Sequence, residues 1–377
     1  MKCVCKIQTV PGISPSLNPD YPILAGATEL SSPADLIAAI TGSPPQSQEL
    51  EIHLSSGVAF NYSQVSFLEV SEVMRLSCQA CDDAHVTFSD LAITSPSTFD
   101  GNLASAHGLL GAHVSFLRCR FDQRSLEALT SYCKSLFLGD CVLANPDFSS
   151  CELAQCLKRL HIRHCIGVTS LLSYQAIAFL ESCTWDGMRF EAGMRNTSVY
   201  RNSTLVDLSI CETNVFHLVS TSRKLELSAL KSLAIVGCVG VPCLSDALAG
   251  CALESLNLEG YWLDDRSWAE TTALASMMSL SIESCVCGEA FVDWMRSLAM
   301  LRTLSTRLSS FELHGDPSIV YEWPHLSELR CSSTFARRIL GLTNLRVVQD
   351  KTTEYDRLPS MQVDRGVGYV PLTVEWV

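Results

Sequence analysis

No stretch of this chain stays apolar for the roughly 18 residues that a membrane-crossing helix needs. The first ten residues, MKCVCKIQTV, contain no apolar core of a secretory leader, and Pro11 follows them directly. Charged residues are scarce at 18%, and basic ones scarcer: 27 Lys and Arg face 40 Asp and Glu, a net charge of −13. That balance argues against nonspecific binding to nucleic acid or to anionic membranes. The sequence also lacks a GxSxG elbow, a phosphate-binding loop, a GxGxxG turn and an HExxH helix. These absences leave an intracellular, cytoplasmic protein as the expectation, with neither nucleic acid nor membrane insertion among its partners.

Cysteine and apolar residues are abundant. There are 18 cysteines, and 47% of the 377 residues are hydrophobic. Without a leader the thiols are expected to be reduced. The apolar residues recur in a pattern. Leu157-Lys-Arg-Leu-His-Ile-Arg-His-Cys165 reads L-x-x-L-x-I-x-x-C. Leu160 and Ile162 are two residues apart, so on a strand both face one way and His161 faces the other. One such strand cannot bury its apolar side alone, whereas stacked copies can.

The copies are numerous. Val73-x-x-Leu76-x-Cys78-x-x-Cys81, Val114-x-Phe116-x-x-Cys119 and Cys133-x-x-Leu136-x-Leu138-x-x-Cys141 precede the one above. The segment around Val86 and Phe88 fits less well and reads as an extra or irregular turn, and Ile177-x-x-Leu180 reads as a degenerate copy. In the second half the second apolar position falls at 208, 233, 256, 280, 304 and 329, in steps of 25, 23, 24, 24 and 25. The looser half runs 114, 136, 160, 180 and 208. A period near 24 leaves roughly 15 residues for the return path of each turn. Gly288–Leu298 is expected to return as a helix with Phe291, Trp294, Met295 and Leu298 on one face. Ser245–Cys251 and Ser267–Met277 can also wind. Residues 1–48 are expected to form an N-terminal cap with a helix begun by Ser32 and Pro33, residues 49–351 the repeat array, and residues 352–377 a C-terminal cap. Leu342-x-x-Leu345-x-Val347 begins the exit, and the final strand lies within Tyr369–Trp376.

These motifs resemble the cysteine-containing leucine-rich repeat family, similar to the ribonuclease-inhibitor type and to the repeats of F-box proteins, in the divergent style common in protists. The resemblance spans about residues 50–350. It implies an α/β solenoid, a horseshoe with parallel strands on the concave face and mixed helical and irregular returns on the convex one. Thr213, Tyr261 and Thr334 replace the repeat cysteine, and no F-box pattern precedes the array.

The aligned cysteines Cys81, Cys119, Cys141, Cys165, Cys238 and Cys285 are expected to pack as thiols in the turns. A zinc site needs four convergent ligands, and adjoining repeats do not supply a second pair beside Cys78 and Cys81. No metal, cofactor or catalytic residue is therefore expected. The fold implies a non-catalytic interaction scaffold with a protein partner on the concave face, as a regulatory adaptor or a substrate-recognition subunit. The alternative is an enzyme of ligase type working through a cysteine outside the array, such as Cys3 or Cys5. Candidate partner-binding residues are a basic set, Arg118, Lys134, Lys158, Arg159, His161, Arg163 and His164, whose repeats contribute Asp140 as their one acid at such positions. Glu254, Glu259 and Glu283 stand at the other end.

Overall fold

The computed structural model describes residues 4–8, 28–30, 51–55, 63–66, 70, 74, 85–94, 112–130, 133–144, 156–167, 179–187, 200–201, 204–212, 225–226, 228–238, 251–263, 276–311, 323–331, 360–363 and 372–376. The chain divides into two compact units, Met1–Arg189 and Phe190–Val377.

The first unit is built on one sheet. Strand β1 (Val4–Gln8) pairs antiparallel with β2 (Thr28–Leu30) and with β3 (Glu51–Ser55). From β3 onward the pairing is parallel, through β5 (His85–Ser89), β7 (Ala112–Leu117), β9 (Cys133–Gly139), β11 (Arg159–Arg163) and β12 (Ser182–Asp186). A second, narrower parallel sheet runs beside it: β4 (Ser63–Ser66), β6 (Leu91–Thr94), β8 (Arg120–Asp122) and β10 (Val142–Ala144).

Register explains why such short strands hold. Val86, Val114, Leu136, Leu160 and Cys183 align in one row, and Phe88, Phe116, Leu138, Ile162 and Trp185 in the next. Every one is buried. A five-residue strand turns two side chains inward, and each of these packs against the same position of its neighbours about 4.8 Å away. Phe88 and Phe116 stack at 5.1 Å, and Phe121 meets Phe116 edge-on at 5.7 Å. Helix α1 (Gln123–Thr130) returns from β8. Asp122 caps it by accepting the Ser125 N–H at 2.7 Å, and Leu126 and Leu129 are buried.

The second unit repeats the plan. Strands β14 (Asp207–Cys211), β16 (Ser232–Val236), β17 (Ser255–Glu259), β19 (Ser279–Glu283), β21 (Thr303–Ser305), β23 (Glu328–Cys331) and β25 (Leu372–Trp376) run parallel, and β24 (Ser360–Val363) closes the edge antiparallel. Two small parallel sheets accompany it, β13 (Tyr200–Arg201) with β15 (Leu225–Glu226), and β18 (Trp262–Leu263), β20 (Val286–Cys287) and β22 (Ser310–Phe311). The buried rows are Leu208, Leu233, Leu256, Leu280, Leu304, Leu329 and Val374, beside Ile210, Ile235, Leu258 and Ile282. Helix α2 (Glu289–Arg296) buries Phe291, Val292, Trp294 and Met295, with Leu298 buried just beyond its end. The Trp323 Nε1–H donates to the Met295 carbonyl at 3.2 Å and ties the next turn to this helix. Each unit is a leucine-rich-repeat coil of parallel strands.

Two expectations need correction. β3 pairs directly with β5, so the residues around Val86 and Phe88 form a regular turn of the sheet, while the motif read at Val73–Cys81 is described only at Met74. Val70 and Met74, four apart and buried, are helical there, and the rest of that motif lies outside the described residues. The copy placed at Ile177 is shifted: Leu180-x-x-Cys183-x-Trp185 is the true motif. With Cys183 as its second apolar position, the steps from 160 to 183 and from 183 to 208 become 23 and 25, and the apparent looseness disappears. The exit motif at Leu342–Val347 lies outside the described residues. The helix expected after Ser32 and most of the other two proposed windings lie outside the described residues.

The strands leave the sheet through a common turn. Asp90, Arg118, Asp140 and His164 follow their strands with φ between 48° and 56°, and Gly187 with 60°. Glu212, Gly237, Gly260 and Ser284 do the same in the second unit. A left-handed non-glycine residue costs roughly 1 kcal/mol or more. A recurring bond offsets it: the N–H of a left-handed residue donates to the next turn. Arg118 donates to Gly139 O (2.8 Å), Asp140 to Arg163 O (2.9 Å), Glu212 to Val236 O (2.8 Å) and Ser284 to Arg307 O (2.9 Å).

The repeat cysteine comes next along the chain. Cys119 Sγ donates toward Phe88 O at 3.3 Å, Cys141 toward Phe116 O at 3.2 Å, Cys165 toward Leu138 O at 3.3 Å and Cys238 toward Ile210 O at 3.3 Å. Each thiol thus reaches back one turn. It also accepts from behind, as Cys165 Sγ does from Cys141 N–H at 3.3 Å. Ser309 occupies the same place and makes the same bond to Ile282 O at 3.0 Å, which shows that a small hydrogen-bonding group is what the turn requires. All the cysteines with described side chains are free thiols. Non-reducing and reducing gels of alkylated protein should therefore match; a mobility shift that depends on reductant would contradict this arrangement.

Candidate functional site

Each strand that buries two residues turns the alternate ones outward, and those outward rows form an open face. In the first unit one row is His85, His113, Ser135, Arg159 and Ser182, and the next is Thr87, Ser115, Phe137, His161 and Thr184. His85 and His113 stack at 4.6 Å. In the second unit the middle of each row is small: Ser232, Ser255, Ser279 and Thr303 between Asp207 and Glu328, then Ser209, Ala234, Asn257, Ser281 and Ser305 before Arg330.

Phe137 lies on an outward row but is only 6% exposed. Gly139 makes this fit. A Cβ there would come within 2.8 Å of the Phe137 ring and 3.0 Å of Leu117, so the missing side chain leaves the ring room to lie over the sheet. The His161 ring meets Phe137 edge-on at 4.7 Å.

The ten sequence-predicted residues fall into three places. Lys134 and Lys158 sit at strand starts, as does Glu254, where Lys158 N–H donates to Lys134 O at 2.8 Å and Glu254 N–H to Lys231 O at 2.7 Å. Arg159, His161 and Arg163 stand on the open face of β11, and Glu259 and Glu283 end β17 and β19. Arg118 and His164 are instead the left-handed turn residues, and the His164 ring packs over Gly187.

Charge pairing changes the picture of a basic patch. Arg118 holds Asp90 through two bonds of 2.7 and 2.9 Å. Lys158 faces Glu181 at 3.7 Å, Arg163 faces Asp186 at 3.8 Å, Lys231 holds Glu254 at 2.8 Å and Arg307 faces Glu283 at 3.4 Å. The acids Asp90, Glu181 and Asp186 thus join Asp140 in this region. Such partly exposed pairs contribute about 0–1 kcal/mol each to folding. Among the described residues, Lys134, Arg159, His164 and Glu259 have no ion-pair partner.

His161 is the perturbed group of this face. Burial pushes its imidazole below the ordinary range; Asp186 pulls the other way, and Arg163 adds to the lowering. The His161 Nε2 is shielded from solvent without a hydrogen-bond partner, and so is Arg163 Nε. Phe137, Gly139 and these two orphaned nitrogens were not singled out from the sequence; the Phe-x-Gly spacing on an outward row was the available signal. Among the described residues no three His, Cys, Asp or Glu side chains converge as a metal site, and no helix is long and apolar enough to cross a membrane.

No protein family and no curated protein matches this sequence. Among solved structures, the chain is similar to an internalin from Listeria monocytogenes, at 11% identity, covering 80% of this chain and 89% of that one, with a TM-score of 0.35. At that score the likeness adds nothing to the assignment of the fold, which stands on the strand register.

Proposed function

We propose that the chain is a non-catalytic interaction scaffold that binds a protein partner on the open face of its parallel strands. The observation that carries this reading is the division of labour within each strand: inward rows fill the core, and outward rows in both units stand in register and, Thr87 and Phe137 apart, are not buried. A surface of this kind specifies a partner through its charge pattern and a few anchors. Within this reading the basic set Arg118, Lys134, Lys158, Arg159, His161, Arg163 and His164 receives an acidic segment, and Glu254, Glu259 and Glu283 orient the other end. Arg159 carries most weight because its charge is unmatched.

The thiol rows support placing the repeats with the cysteine-containing kind, similar to the ribonuclease-inhibitor type. Buried, reduced thiols fit an intracellular, cytoplasmic setting and a role as regulatory adaptor or substrate-recognition subunit. We take residues 1–48 and 352–377 as caps on an array at 49–351. The net charge of −13 disfavours nucleic acid as the partner.

The test compares proteins captured by the full chain, by Arg159→Glu with Arg163→Glu, and by Glu254→Lys. The double variant should keep its fold and lose the partner, with wild-type capture falling as salt rises. Capture of the same proteins by the folded double variant, at undiminished strength, would reject this face.

A further inference from the structure

The open face of β11 carries one unmatched guanidinium. Arg118, Lys158 and Arg163 each have an acid opposite, whereas Arg159 has Ser135 and Ser182 as its register neighbours. Two residues on, about 7 Å along the strand, stands His161, between Phe137 and Thr184. Two residues further stands Arg163, beside Gly139 and Asp186. Its Nε lies 3.8 Å from the Asp186 carboxylate, too far for a hydrogen bond. One strand therefore turns a guanidinium, an imidazole and a second guanidinium to the same side. His161 Nε2 and Arg163 Nε, on adjacent outward positions, are both shielded from water and both lack a hydrogen-bond partner.

A shielded polar nitrogen without a partner costs roughly 1–3 kcal/mol, and two side by side are seldom left so unless an acceptor comes from elsewhere. The neighbours define that acceptor. Ser135, Ser182 and Thr184 offer hydroxyls, and Phe137 walls one side. Around His161 the fixed charges are Arg159 and Arg163 against Asp186, a net of one positive charge. Before the imidazole takes up a proton, a monoanion balances this charge.

We propose that Arg159, His161 and Arg163 form a recognition site for a single carboxylate, an Asp or Glu side chain on an acidic segment of a protein partner. This rests on the reading of the open face as the binding surface and names the chemistry of its centre. Arg159 captures the carboxylate, which then accepts from His161 Nε2 and Arg163 Nε. A carboxylate beside the ring favours the imidazolium form. His161 gains a proton on binding, and affinity rises as the pH falls through the midpoint of the complex.

The experiment follows the imidazole carbon resonances of full-length protein labelled at histidine, with His161→Gln providing the assignment. The probes are an acetylated hexapeptide of alternating glutamate and serine, the same peptide with glutamine for glutamate, and one with phosphoserine for glutamate. The glutamate peptide should move the His161 resonance and raise its titration midpoint, and the glutamine peptide should not. Arg159→Gln should weaken the glutamate peptide about tenfold or more and leave the other histidine resonances in place. An unmoved His161 resonance, or equal affinity for the Arg159→Gln variant, would overturn the site. Tighter binding of the phosphoserine peptide would overturn the assignment to a carboxylate. The broader scaffold reading is judged separately by the capture experiment, which needs no peptide.

Discussion

Replacing Leu256 by alanine should lower the stability of the second unit by about 2–5 kcal/mol, the range for a fully buried leucine whose cavity cannot collapse. Leu256 is wholly buried in the middle of a row, with Leu233 on one side and Leu280 on the other. The strand keeps its backbone bonds to both neighbours, so the loss is one of packing. In a repeat coil each turn contacts only the turns beside it. Hydrogen exchange should accelerate most in β16, β17 and β19 and least in the first unit. Acceleration spread evenly over all strands would show that the turns are not coupled as nearest neighbours.

Alkaline pH should unfold the protein well before its lysines titrate. Burial raises the thiols of Cys141, Cys183, Cys285 and Cys287 above their ordinary value, and all four are almost completely inaccessible. In the unfolded chain they ionise near pH 8.5–9. Above that point the unfolded state has released protons that the folded state still holds, so stability falls as pH rises. Each such thiol removes on the order of 1.4 kcal/mol per pH unit until its folded value is reached. Denaturant midpoints measured from pH 7.5 to 10 should drop steeply, and Cys183→Ala should flatten the slope even though it costs stability at neutral pH. A flat profile across that range would mean the thiols are not held protonated.

The second half of the fold was legible because Leu-x-x-Leu-x-Ile or Leu recurs there with little interruption. The turn at β12 was not, because Cys183 and Trp185 occupy the two inward rows. Neither matches a leucine pattern, yet both fill the same space once neighbours fix the register.

The charge pattern was misjudged for a related reason. From 158 to 181, 163 to 186 and 231 to 254, the paired residues lie 23 positions apart, one turn of the coil. A residue's electrostatic neighbours in this fold are those one period away, and a basic cluster read along the chain omits them. The shielding of His161 Nε2 depends on how Phe137 settles over Gly139, and that is a matter of packing that no period reveals.

The alternation of each strand also separates inheritance of the fold from inheritance of its specificity. Leu233, Leu256 and Leu280 are constrained by one another, so a change in any of them calls for compensation next door. Ala234, Asn257 and Ser281, one residue further along the same strands, carry no such obligation. Descendants of this sequence can rewrite the outward letters turn by turn, exchanging one partner for another, while the inward letters copy the same coil unchanged.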